Sequence, residues 1–282
     1  MAGLTEREIG QIDAANASGR RPVVFIHGLW LLASSWNPWA KAFEEAGYAP
    51  ISPGWPDDPE TVSAARRDPK PIAGKGVGEV AAHFATVIEG LEHQPAIIGH
   101  SFGGLLAQIL AGRGLSVATV AINPAPFRGV LPLPPAAIRA TFPVLRNPAN
   151  RSRAVSLSFD QFRYSWANAV DEDEARELHQ RFHVAAPGKP IFQAAVENLN
   201  PATELKVDSR NPDRGPLLIF TGLPDHAVPP ALSRAAYRKQ RRNPGITEHV
   251  ELADRGHSLT IDSGWREVCD RSLEFIDRVT AT

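Results

Sequence analysis

Cysteine is almost absent from this chain of 282 residues, with Cys269 standing alone. No internal disulfide can form, and a chain of this length can bury enough core to need none. No apolar run approaches the length of a membrane span. Residues 1–20 carry charges and lack an apolar stretch of signal-peptide length, so export is not expected. Neither sign of charge dominates: 30 Lys and Arg against 31 Asp and Glu leave a formal net charge of -1. That balance offers no electrostatic footprint for nucleic acid or for an anionic membrane. The expectation is a soluble, cytoplasmic protein. Internal repeats are missing, and the 25 prolines are spread over turns rather than gathered in a low-complexity tract.

Against these absences stands one motif. Residues 96–106 read Ala-Ile-Ile-Gly-His-Ser-Phe-Gly-Gly-Leu-Leu: a short apolar run, then Gly-X-Ser-X-Gly, then small and apolar residues. The order is that of a strand, a sharp turn with Ser101 at its apex, and a helix. By itself Gly-X-Ser-X-Gly is often only a loop. Here Pro95 starts the strand, and Leu105, Leu106, Ile109 and Leu110 follow at helical spacing, which is the context that a serine nucleophile needs. Gly99 and Gly103 suit positions where a Cβ would collide between strand and helix.

Around the motif, apolar runs alternate with helical patterns. Strands are expected at 22–26, 48–52, 97–98, 117–122, 217–220 and 247–252. Helices are expected from Ser34 or Ser35 (as cap) to about Ala46, then over 78–91, after Ser101, and over 231–240 and 264–279. Leu4 to Ala15 reads as a short helix or an irregular arm. Such alternation predicts an α/β fold with a mostly parallel central sheet flanked by helices. The alternation stops between Pro124 and about Gly215. That stretch is rich in prolines and aromatics, with helices expected over 171–183 and 192–199. The reading is a core formed by residues 1–125 and 211–282, with a helical cap inserted at 126–210.

Serine chemistry needs a base, an orienting acid and an oxyanion pocket. His257 follows the last strand, which puts it at the carboxyl edge of the sheet beside Ser101. The other histidines lack that position. His27 and His100 lie at strand ends and suit pocket-lining roles, His83 and His93 belong to a helix and its end, and 179, 183, 226 and 249 have no motif support. Asp225, in the turn after the 217–220 strand, can reach the far nitrogen of His257. Asp254 and Asp262 sit poorly for that task. The alternative acid position after the 117–122 strand holds the uncharged Asn123. One oxyanion donor is the Phe102 N–H at a helix start. The second is the N–H of Leu29 or Trp30, after His27-Gly28, and the sequence does not separate them.

With His27-Gly28-Leu29-Trp30, Gly99-His100-Ser101-Phe102-Gly103-Gly104, Asp225 and Gly256-His257 in that order, residues 22–280 resemble the α/β-hydrolase superfamily, in its serine-nucleophile branch. The resemblance implies an eight-stranded, mostly parallel sheet with the cap after the sixth strand. This chain departs at its start, where no clear strand pair precedes Pro22. A serine rather than an aspartate argues against haloalkane dehalogenase and epoxide hydrolase chemistry. The activity implied is hydrolysis of a small or medium ester or lactone through an acyl-enzyme, without cofactor or metal. The alternatives are C–C bond hydrolysis, perhydrolysis or acyl transfer by the same triad, and a ligand sensor on a hydrolase scaffold. Trp30, His27, His100, Phe127, Tyr164 and Trp166 are candidate contacts for a small acyl substrate. In the mixed stretch 161–169 an amphipathic helix is favoured; otherwise Arg163, Tyr164 or Asn168 supplies polar recognition. A homodimer is left open.

Overall fold

The computed structural model describes residues 3–196 and 200–281. Its first element, α1 (Glu6–Ser18), settles the choice between helix and arm. Thr5 accepts from the Glu8 N–H, and the Glu8 carboxylate accepts from the Thr5 N–H, closing a capping box. The chain then runs through β1 (Pro22–Ile26), α2 (Asn37–Glu45), β2 (Ala49–Ile51), α3 (Val62–Arg67), α4 (Val77–Glu89), β3 (Ala96–His100), α5 (Phe102–Gly112) and β4 (Ala118–Ile122). Next come α6 (Pro135–Leu145), the two-residue strand β5 (Ala154–Val155), α7 (Phe159–Ser165), α8 (Glu172–Phe182), β6 (Ala186–Pro187) and α9 (Lys189–Val196). The order closes with β7 (Leu217–Gly222), α10 (Pro230–Gln240), β8 (Thr247–Leu252) and α11 (Trp265–Thr280).

Six strands form one parallel sheet in the order β2-β1-β3-β4-β7-β8, and β5 pairs antiparallel with β6 outside it. Among the described residues no strand pair precedes β1, where the eight-stranded arrangement would have one; α1 stands there in the chain. Both faces of the sheet are covered, which explains the continuous apolar runs of its central strands. Along β1, Val23 and Phe25 point to one face, where Trp36, Trp39, Phe43 and Phe275 pack. Val24 and Ile26 point to the other, against Val80 and Phe84 of α4 and Leu105 and Leu106 of α5. Cys269 is buried in α11, and burial pushes its thiol up to about 12.

Two expectations need correction. Neither Ser34 nor Ser35 caps α2. Residues 33–36 make a 3-10 turn in which Ser35 Oγ donates to Leu32 O at 2.7 Å, and Pro38 lies in the first turn of α2. The helix expected over 192–199 begins earlier, at Lys189, and is described to Val196; positions 197–199 lie outside the described residues.

The tight turn after β3 has a steric basis that can be tested. A Cβ at Gly99 would run into the carbonyl of Gly103, and one at Gly103 into the carbonyl of Ile26 on β1. Both obstacles are backbone, so no rotamer change relieves them. Gly103→Ala is therefore expected to cost more than about 4 kcal/mol and to lower yield of folded protein, read by urea unfolding. A variant of wild-type stability would show that strand and helix do not approach this closely.

Candidate active site

Ser101 sits between β3 and α5 with φ 56° and ψ -121°, a left-handed conformation that a serine rarely adopts. Such a residue costs about 1–3 kcal/mol unless its neighbours hold it. Here they do. The Ser101 N–H donates to Ile122 O at 2.9 Å, and its carbonyl accepts from Leu105 N–H at 3.1 Å and Ala125 N–H at 2.9 Å. Gly28 is close enough that a Cβ there would lie 2.7 Å from Ser101 Cβ, so the loop after β1 lies against the serine. Phe102 begins α5, whose helix dipole concentrates positive potential at that N–H.

Asp225 and His257 arrive from the carboxyl ends of β7 and β8. His257 Nδ1 donates to Asp225 Oδ2 at 2.6 Å, and the second carboxylate oxygen accepts from Val228 N–H at 2.8 Å. Both side chains are buried, the histidine ring at 1% exposure. A carboxylate gripped at both oxygens cannot swing away from the ring. His100, next to Ser101, lies 4.7 Å from His257 between ring centroids. Burial, and then the charge of His257, push His100 well below the usual imidazole range. His183, the acceptor of the Leu157 N–H, is likewise pushed down by burial, to about 3.

The stretch between β4 and β7 packs directly on this edge. The Trp166 ring meets His257 edge-on at 4.6 Å and His100 at 5.3 Å, while its carbonyl accepts from the Ser258 N–H at 3.0 Å. The Trp166 indole N–H is buried and has no hydrogen-bond partner among the described residues. Trp30, at φ 63°, turns its indole N–H to Val155 O at 3.0 Å, and its carbonyl accepts from Val184 N–H at 3.1 Å. Phe127 belongs to the same buried apolar cluster as Leu29, Trp30, Phe102 and Trp166.

The structure gives the remaining candidate contacts definite neighbours. The Tyr164 ring packs on His226 at 4.6 Å, under the Arg139 guanidinium at 3.9 Å. The 161–169 stretch is not one helix, because α7 ends at Ser165 and frees Trp166 to turn inward. Arg163 pairs with Glu172, and Asn168 donates to Pro224 O at 2.7 Å. His27 donates from Nε2 to Asp58 at 2.9 Å, stacks on Trp55, and lines a small cleft with Gly28, Leu29 and Trp30. Asp58 also accepts from Trp55 N–H, and Trp55 Nε1 donates to His27 O, so three residues brace the loop after β1. Asp58 carries no motif. Only its position after β2, whose strand lies beside β1, points to it.

Asn123, uncharged and so no candidate for the acid, makes two buried hydrogen bonds at this edge. At φ 40° it closes β4; its Oδ1 accepts from Gly222 N–H at 2.7 Å, and its Nδ2 donates to Gly256 O at 3.1 Å. One side chain thus ties the turn bearing Asp225 to the loop bearing His257. Asp262 bonds Ser258 Oγ at 2.8 Å and the Gly264 N–H at 3.0 Å, away from the His257 ring nitrogens.

Comparison with known proteins agrees with this architecture. The sequence model of the Alpha/beta hydrolase family matches residues 23–271. Among solved structures, the chain is similar to the monoacylglycerol lipase of Paleococcus ferrophilus, with TM-score 0.61 and 20% identity over 92% of this chain and 95% of that one. It is also similar to a pyrethroid hydrolase from Sphingobium faniae JZ-2, with TM-score 0.63 and 17% identity over 93% and 99%. A third is BpoC of Mycobacterium tuberculosis H37Rv, a candidate non-heme bromoperoxidase, with TM-score 0.67 and 22% identity over 92% and 93%. Comparison with the curated proteins finds no sequence match.

Proposed function

The chain belongs to the alpha/beta hydrolase family, and we propose that it is a serine hydrolase that cleaves a small or medium carboxylic ester or lactone through an acyl-enzyme. The observation that carries the reading is the 2.6 Å bond from His257 to a doubly gripped, buried Asp225, on the sheet edge where Ser101 protrudes. Asp225 fixes the tautomer in which His257 Nε2 is free to accept a proton. Ser101 Oγ attacks the carbonyl carbon while His257 takes its proton. The oxyanion is held by the Phe102 N–H and by the N–H of Leu29 or Trp30. His257 then protonates the leaving alkoxide and later activates the water that releases the acid. Asp58, Trp55 and His27 position the oxyanion loop.

The stretch 126–210 is the cap in this reading. It closes the site with Trp166 over the histidine and supplies an apolar wall with one unpaired donor, the Trp166 N–H. That wall suits a largely apolar acyl or alcohol group with one acceptor. The neighbours named as a monoacylglycerol lipase and a pyrethroid hydrolase support hydrolysis as the class of reaction and not a substrate. The test is an acyl-chain series of p-nitrophenyl esters and lactones, alongside labelling by a fluorophosphonate probe. Turnover with adduct formation at Ser101 is expected. A folded protein that forms no adduct and turns over no ester would overturn the proposal in favour of a ligand sensor.

Asn123→Ala separates positioning from folding. It leaves a buried N–H and a buried carbonyl unpaired, at about 1–3 kcal/mol each. The expected result is a moderate fall in stability with kcat lower by about 10- to 100-fold and KM changed less, because the His257 and Asp225 loops lose their shared tie. Equal losses in Asn123→Ala and in a core variant of matched stability would remove the positioning role.

A further inference from the structure

The net charge of -1 hides a strong local asymmetry. Residues 114–159 contain five arginines and no Asp or Glu. Within that stretch α6 buries Ala137, Ala140 and Val144 and turns Ile138 and Phe142 outward, one helical turn apart, at 46% and 58% exposure. The loop leading into α6 exposes Leu131 at 63% and Leu133 at 73%. Four of the eight large exposed apolar side chains among the described residues therefore lie within twelve positions. Arg139 and Arg146 are exposed beside them.

A second basic tract adjoins this patch from a distant part of the chain. Arg238-Lys239-Gln240-Arg241-Arg242 ends α10. The Lys239 ammonium would lie 2.8 Å from a Cβ at Gly129, two residues before Leu131. Arg238, Arg241 and Arg242 are exposed. The fold thus places a polybasic turn against the entrance to an outward apolar helix.

We propose that this face docks on an anionic phospholipid surface, with Leu131, Leu133, Ile138 and Phe142 entering the acyl boundary and the basic side chains meeting the headgroups. Charge decides between occupants. A second copy bound through a two-fold axis would set the same cationic face against itself. An anionic bilayer offers both the apolar layer and the opposite charge, and arginine stems can lie along the apolar layer while their heads stay among phosphates. The inference does not depend on the catalytic reading, since neither tract contains Ser101, Asp225 or His257.

The test is flotation of the full-length protein with vesicles of phosphatidylcholine, alone or mixed with phosphatidylserine. Binding to the mixed vesicles is expected, with little to phosphatidylcholine alone. It should weaken as salt rises from about 0.1 M to 1 M and the screening length falls from about 10 Å to 3 Å. Leu133→Ser with Phe142→Ser, and separately Arg238→Glu with Arg241→Glu and Arg242→Glu, should each reduce partitioning about tenfold or more. The thermal midpoint of each variant, compared with wild type, shows that the surface and not the fold has changed. Equal flotation with both vesicle types, no flotation with either, or a dimer in sedimentation velocity that the Leu133→Ser, Phe142→Ser variant dissolves would each overturn the proposal.

Discussion

Replacing Ser101 with alanine is expected to lower ester turnover by about 10⁴- to 10⁶-fold and to leave the folded protein unchanged. The two halves of that expectation come from different atoms. The strained backbone at φ 56° is held by bonds from its own N–H and carbonyl to Ile122, Leu105 and Ala125. Alanine keeps the same Cβ and all three bonds. What disappears is the hydroxyl, which in the proposed mechanism forms the covalent bond to the acyl group. The oxyanion donors and the binding surface persist, so some acceleration over water remains. The measurements are kcat/KM on an activated ester, the mass of the protein after a fluorophosphonate probe, and the thermal midpoint. Turnover within tenfold of wild type would sink the acyl-enzyme mechanism outright. Loss of turnover with loss of fold would say only that the turn is fragile, which is why the midpoint belongs in the same experiment.

How far a pattern could be read depended on the range of the interaction behind it. The strands of the sheet were legible because burial on both faces leaves continuous apolar runs such as 22–26 and 217–220. Ser101 was legible because its turn imposes glycines at fixed offsets. Asp225 and His257 were legible by chain order alone, and the structure places them within a hydrogen bond of each other. Asn123 was visible only as a missing acid, because its two bonds reach 99 and 133 positions along the chain and leave no local trace. Asp58 escaped for the same reason, since its partner His27 lies across two neighbouring strands. The stretch 126–210 was the least legible. Its helices are short, and their inward faces are set by contacts such as Trp30 to Val155 and Val184 that no periodicity encodes. Tyr164 and Trp166 show the consequence: two aromatics two positions apart have unrelated partners, because α7 ends between them. Net charge is silent on local charge in a similar way, because it averages an arginine-only segment with the acidic start of α8.

Asp225→Asn is expected to reduce kcat/KM by about 10⁴-fold although it adds no bulk and removes a buried charge. The carboxylate now accepts twice, from Val228 N–H and from His257 Nδ1. An asparagine can keep its oxygen on Val228, but its amide nitrogen then faces Nδ1 and can only donate. The ring must answer by becoming an acceptor at Nδ1, which moves its proton to Nε2. In that tautomer the nitrogen nearest the serine carries a hydrogen and cannot take one. Distances hardly change, and the reaction stops for want of a base. Asp225→Glu should not restore activity, since the extra methylene has nowhere to go in a pocket where the carboxylate is fully buried. Asp262→Asn makes the matched control. Burial raises Asp262 above the usual carboxylate range, and its bonds run to Ser258 and Gly264. It should keep kcat/KM within about tenfold while lowering stability, as befits a buried hydrogen-bonded group. If Asp262→Asn were inactive and Asp225→Asn active, the orienting acid would be Asp262. The 2.6 Å contact to Asp225 would then be a packing feature of the turn rather than part of the catalytic chain.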